Sequence, residues 1–351
     1  MKLKKKALAV CLSTAMVMTA SGCGEKKDFF DTMEESSQIK NNKFNMELSF
    51  QTDELKTVTG TDTVKVKLTG QTKTEKKSEK KDQTDIEKLM DGVSGNMNVS
   101  VNYDGEKYVD VTDIIIKDNT CYLNAYKAID AFEPVYTEIM KQNSDASETA
   151  SQTYPGSALK AMLGKEYVKV TADDLKDMTI TNDIDKIKNL FDTDLKEAIR
   201  KSNPAILGSK GDMSTFTINK SNAGAFVDIL TDFVTKNQKD LNLSDTDLTS
   251  AKEELKNLED SVKKYKLTFQ YGAKLNEKKG SRVAEQSMSA DFTDSNSDSK
   301  NTVAKIKMSL KITESDNISV EAPKGAASLK EIASQMGNVS PSDTGEYTIH
   351  N

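Results

Sequence analysis

Apolar and polar residues alternate with a period of two along much of the chain. Phe44, Met46, Leu48 and Phe50 form one such series; Val64, Val66 and Leu68 form a second; Met97, Val99, Val101 and Tyr103 form a third. This pattern predicts strands with one buried and one solvated face, the habit of antiparallel sheets. Asp104-Gly105 and Asp118-Asn119 are hairpin-turn sequences, the second lying between Ile114-Ile115-Ile116 and Cys121-Tyr122-Leu123. The alternation returns late in the chain at Leu267, Phe269 and Tyr271, at Met288, Ala290 and Phe292, and at Ile306, Met308, Leu310 and Ile312. Ile318 and Val320 are expected to form a last short strand, stopped by Pro323.

Between the two blocks the spacing becomes helical. Ile184, Ile187, Phe191, Leu195 and Ile199 make one stripe, ending before Pro204. Phe226, Val227, Leu230, Phe233 and Val234 make a second, and Leu248, Leu255, Leu258 and Val262 a third, with Ser244 and Asp247 placed to cap it. These stripes read as core faces packed on the sheet. Strands, then helices, then strands predict an α+β fold with an antiparallel sheet. Two segments, 71–91 and 141–157, are too polar to enter a core and read as surface insertions.

The first residues change the picture from fold to location. Lys2, Lys4, Lys5 and Lys6 precede an apolar run over residues 7–20, and Ser21-Gly22-Cys23 follows. A basic start, a short apolar stretch and small residues describe a secretory signal. The run is shorter than the ~20 apolar residues that span a bilayer. Ala20-Ser21-Gly22-Cys23 resembles the lipobox of bacterial lipoproteins, with Ala20 where leucine is commoner. The resemblance implies cleavage after residue 22 and acylation of Cys23, with residues 23–40 as a polar tether. The protein is therefore expected on the outer face of the cell membrane, held by acyl chains.

Composition supports an exported, polar protein. Charged residues are 30% of the 351, hydrophobic ones 36%, and tryptophan is absent. The formal net charge is −6, and losing the four signal lysines makes the mature chain four charges more negative. Arg200 and Arg282 are the only arginines, and lysine supplies the other basic residues. An acidic, arginine-poor surface suits neither nucleic acid nor anionic headgroups, which leaves acyl chains as the means of attachment. The lysine bias points to a Gram-positive cell. With Cys11 removed and Cys23 acylated, Cys121 has no disulfide partner; it reads as a small buried hydrophobe.

The long meander, the short strand at Glu166-Tyr167-Val168-Lys169-Val170, the intervening helices and the closing Ile318-Ser319-Val320-Glu321-Ala322-Pro323 resemble the LolA/LppX-type lipoprotein carriers (LppX/LprG-type). That resemblance implies one domain over residues 41–325, with a short helix and polar tail at 326–351. It further implies a large curved sheet of about 10–11 strands with helices on its concave face. An apolar cavity for acyl chains would lie between them. Phe44, Met46, Met97, Phe269, Met288 and Met308 are then the expected lining, since flexible methionines suit an adaptable pocket.

Catalytic motifs fail on inspection. Asp294-Ser295-Asn296-Ser297-Asp298 copies the start of a calcium loop, but Ser299 replaces the turn glycine and Lys305 the bidentate glutamate. Ser315-Asp316-Asn317 and five S-x-x-K matches occur without the K-T-G that penicillin-binding enzymes need. The single histidine, His350, stands beside the C-terminal residue, which removes histidine-based catalysis and Cys/His metal sites. The expectation is a non-enzyme without metal or cofactor that binds an apolar or amphiphilic ligand. The alternative is a structural envelope lipoprotein with a filled core. If Cys23 is the attachment point, a Cys23→Ala chain whose signal is still removed will leave the membrane fraction. Retention in that fraction would contradict the assignment.

Overall fold

A computed structural model of the chain describes residues 28–53, 55–56, 60–74, 91–103, 105, 107–143, 155–171, 174, 189–278, 280–293 and 302–337. Cys23, Ile184, Ile187, the calcium-like segment up to residue 301 and the tail from 338 lie outside them, as do most of the two polar insertions. The strands are β1 (Asn42–Gln51), β2 (Thr63–Thr74), β3 (Val93–Asn102), β4 (Val109–Lys117), β5 (Thr120–Asn124), β6 (Tyr167–Thr171), β7 (Leu207–Lys210), β8 (Met213–Ile218), β9 (Thr268–Lys278), β10 (Ser281–Thr293), β11 (Thr302–Glu314) and β12 (Ala326–Ser328). The helices are α1 (Phe29–Ser37), α2 (Ala125–Asn143), α3 (Gly156–Leu163), α4 (Lys196–Arg200), α5 (Ala223–Lys236), α6 (Asp245–Lys264) and α7 (Leu329–Gly337), with a π-helical turn Phe191–Leu195 leading into α4.

The class is α+β, and the strands follow the order β12-β6-β5-β4-β3-β2-β1-β11-β10-β9-β8-β7 in one open sheet. Twelve strands replace the expected ten or eleven. The hairpin of β7 and β8 was not apparent from the sequence; it turns at Gly211, whose φ of 63° suits a residue without Cβ. Ile318 and Val320 are a correction, because neither lies in a strand. That stretch is held instead by Gln71 Nε2, which donates to the Ser319 carbonyl at 2.7 Å. The chain then forms β12, which pairs parallel with β6.

The tether prediction also needs correction. Residues 29–37 form a helix, and Phe29 and Phe30 are 0% and 1% exposed. Asp28 caps this helix through a reciprocal pair with Asp31, which satisfies orphan amides of the first turn. The insertion boundaries shift as well. Residues 71–74 finish β2, 141–143 finish α2, and 156–157 begin α3. Helix α2 itself escapes a period reading because Pro134 interrupts it.

The chain divides into two compact units. In the first, comprising residues 1–67, 102–107 and 180–316, β1, β11, β10, β9, β8 and β7 lie side by side. Its core joins Phe29, Phe30 and Met33 of α1 to Phe191 and Leu195 of the π turn, Phe216 and Ile218 of β8, Val227 and Phe233 of α5, and Leu255 and Val262 of α6. The expected Ser244–Asp247 cap on α6 is present in full.

In the second unit, comprising residues 68–101, 108–179 and 317–351, the Asp118-Asn119 turn joins β4 to β5. Both turn residues have positive φ, 50° and 56°, as a tight two-residue hairpin requires. Asn124, 1% exposed, caps α2 by accepting from the Lys127 amide at 3.0 Å and donates to Glu166 Oε1 at 2.7 Å. Its carbonyl accepts from the Thr112 hydroxyl at 3.0 Å.

Two substitutions separate the sealed core from the open face described next. Phe30→Ala will cost about 3–5 kcal/mol, the range for deleting a buried ring. Phe50→Ala, at a side chain 37% exposed, will cost under about 1 kcal/mol. Urea unfolding midpoints of the two variants test this contrast.

Candidate functional site

The strand registers of the first unit place one apolar row across six strands. Leu48 of β1 lies opposite Met308 of β11, Met308 opposite Met288 of β10, and Met288 opposite Tyr271 of β9. Tyr271 lies opposite Phe216 of β8, and Phe216 opposite Leu207 of β7. Cross-strand partners share a face, so these residues line one side of the sheet. Two residues along, the rows repeat with Phe50, Ile306, Ala290, Phe269 and Ile218, and with Met46 and Leu310. The opposite face carries Glu47, Ser309, Ser287, Lys307, Ser289, Lys311 and Glu285.

Among the described residues, helices seal only part of the apolar face. Phe29 packs edge-on against Tyr271 with ring centroids 5.3 Å apart and meets Phe216 at 5.9 Å. Phe226 of α5 meets Phe216 at 5.7 Å, and Phe269 meets it at 6.3 Å. The connected core takes residues from β7, β8 and β9 and none from β10, β11 or β1. Beyond β9, Met288, Met308, Leu310, Ile312, Phe44, Met46 and Leu48 are half-buried, and Phe50 is exposed.

Five of the six expected lining residues therefore share this face. Met288 and Met308 are direct cross-strand neighbours. Phe44 and Met46 continue the face on β1, and Phe269 sits at its sealed edge. Met97 belongs to the second unit, opposite Ile114 on β4. Sequence reasoning missed Leu48, Leu310 and Ile306 as members of the face. The period-two pattern marked them all, and only the cross-strand register could join them.

Two clefts in the first unit are lined mainly by polar residues. One of about 520 Å³ is lined by Gln38, Lys40, Asn41, Arg282, Glu314 and Asp316. There Arg282 Nη2 approaches Glu314 Oε1 at 2.6 Å and donates to the Gln38 carbonyl at 3.3 Å. The other, of about 400 Å³, includes Glu47, Lys67, Glu285 and Lys311 and also Gln286 and Leu310 of the apolar face. None of the six expected residues lines either cleft.

Charge is arranged around α1. Arg200 Nε donates to Asp28 Oδ2 at 2.6 Å, its Nη2 to Asp31 Oδ1 at 2.9 Å, and its Nη1 to Glu197 Oε1 at 3.0 Å. Its guanidinium also lies 5.8 Å from the Phe30 ring centroid. Burial pushes the Asp28 carboxyl up, but the Arg200 and backbone hydrogen bonds outweigh it and leave it below the usual carboxylate range. Lys196 is 2% exposed, with Nζ 2.7 Å from Asp192 Oδ1 and 5.9 Å and 5.7 Å from the Phe30 and Phe191 rings. Burial raises the Glu34 carboxyl against the pull of that lysine.

Burial disfavours the charged form at Tyr271 on the apolar face and at Cys121 in the second unit. Burial pushes the Tyr271 phenol up to about 12, and its hydroxyl lies 2.6 Å from Gln286 Oε1. Burial also raises the Cys121 thiol, as suits a packing residue more than a nucleophile. Among the described residues, no group of three or more His, Cys, Asp or Glu is placed to hold a metal. No described helix is long and apolar enough to cross a membrane. Comparison with protein-family models, curated proteins and solved structures finds no match to this chain.

The depressed Asp28 carboxyl has a defined pH signature. Its contribution to stability is fully present above the ordinary value of 3.8 and disappears as pH falls through its lower folded value. Asp28→Ala removes both the helix cap and the Arg200 partner and will cost about 1–2 kcal/mol at neutral pH. The deficit will shrink as pH falls below the ordinary value. Unfolding midpoints of wild type and variant, compared from about pH 6 to about pH 2, check the sign.

Proposed function

We propose that this protein is an extracytoplasmic lipoprotein, anchored through Cys23, that holds an apolar or amphiphilic ligand on the open part of the apolar face. The observation that carries the reading is the mismatch between the apolar face and its cover. Six strands present apolar side chains on one side, whereas among the described residues the connected core stops at β9. Of the β10 residues on this face, Ala284, Gln286 and Ala290 are buried and Met288 is half-buried. Apolar side chains left half-exposed across β10, β11 and β1 lose the stabilisation of about 25 cal/mol per Å² that burial brings. A bound chain would restore it, and each of its methylenes would contribute about 0.8 kcal/mol. The methionines at the centre of that region adapt to irregular shapes.

A structural envelope lipoprotein is the second reading, and the mainly polar lining of both clefts, which holds none of the six expected residues, favours it. The two readings part on one experiment. Residues 24–351, produced without acylation, would be extracted with organic solvent for mass spectrometry and then titrated with a fatty acid. The carrier reading expects co-purified lipid or saturable binding, weakened at least about tenfold by Met308→Lys, a change of about 1.4 kcal/mol. No retained lipid and no binding by the unaltered protein would leave the structural reading.

A further inference from the structure

The correction to the tether constrains where the membrane lies. Residues 23–40 would have formed an eighteen-residue leash, but Asp28, five residues after Cys23, already caps a packed helix. Five residues reach at most about 18 Å when fully extended. Asp28 is itself fixed in place. It caps α1, two of its hydrogen bonds come from Arg200, and the next two residues are sealed in the core.

We infer that the surface around the N-terminus of α1 and the end of α4 faces the lipid headgroups. This rests on the reading of Cys23 as the acylated residue. The surface continues from Arg200 into residues 201–205, of which Lys201, Asn203, Pro204 and Ala205 are exposed. Its chemistry fits a headgroup layer. The chain as a whole is acidic and would be repelled by anionic lipids. At this edge, however, the carboxylates of Asp28, Asp31 and Glu197 converge on Arg200, and Glu197 also meets Lys201 at 3.6 Å. Local charge is thus nearly balanced where the tether holds the protein close. Depth is set by the length of the tether, and affinity by the acyl chains.

The test uses the full-length, membrane-processed protein with Cys121→Ser and Lys201→Cys, the latter at a side chain 78% exposed. A fluorophore on residue 201 is read in phosphatidylcholine–phosphatidylglycerol vesicles that carry a spin-labelled headgroup. A second form has twenty Gly/Ser residues inserted after Gly24, which lengthens the reach by about 70 Å. Both forms are first checked for flotation with vesicles. The inference expects both to float, with strong quenching for the short tether and its loss for the long one. Flotation without quenching in the short form would overturn it. Equal quenching in both forms would also overturn it, because the tether would not be what sets the orientation. Failure to float would instead reject the anchor reading on which the inference rests.

Discussion

The burial of Phe29 and Phe30 is the constraint on which the first unit depends. The two rings are edge-on to each other with centroids 5.6 Å apart, and between them they touch β8, β9 and the π turn. Each contributes about 1.5–3 kcal/mol by leaving water. Arg200 then ties the start of that helix to the end of α4. The π turn serves the same packing. It places both Phe191 and Leu195 in the core and turns Lys196 inward, where Asp192 lies opposite its charge.

The consequence for function follows from how far this packing reaches. The sheet presents a mainly apolar and a mainly polar side in this unit. Among the described residues the connected core reaches β9, and on β10 Ala284, Gln286 and Ala290 of the same face are buried while Met288 is half-buried. Gly272 shows how different the two sides are. On the polar side it leaves room for Met213, whose Cε would lie 3.2 Å from a Cβ at that position. That methionine fills a gap under a serine- and lysine-rich surface. Met288 and Met308, on the other side, lie between the sealed core and the exposed ring of Phe50.

Much of this arrangement was legible in the sequence. Strict alternation located β1, β3, β9, β10 and β11, and the Asp118-Asn119 turn was read correctly because its residues tolerate positive φ. The capped start of α6 was equally plain. Short elements were harder to read. The four residues of β7 and three of β12 carry too little period to stand out. Helix α1 looked like a tether because only three of its nine residues are large and apolar, and its polar positions at Thr32, Glu34 and Ser36 are buried too. The lining residues were identified one strand at a time. Register, a property of pairing between distant segments, brought five of them to one face and left Met97 in the other unit.

The proposed function requires that the apolar face beyond β9 receive an apolar chain and that the opposite face receive none. Methionine-methyl NMR of the mature chain, with a fatty acid added stepwise, tests it directly. Binding on that face will shift the methyl signals of Met288 and Met308 with saturation and leave that of Met213 in place. Unmoved signals at Met288 and Met308, or an equal shift at Met213, would contradict it.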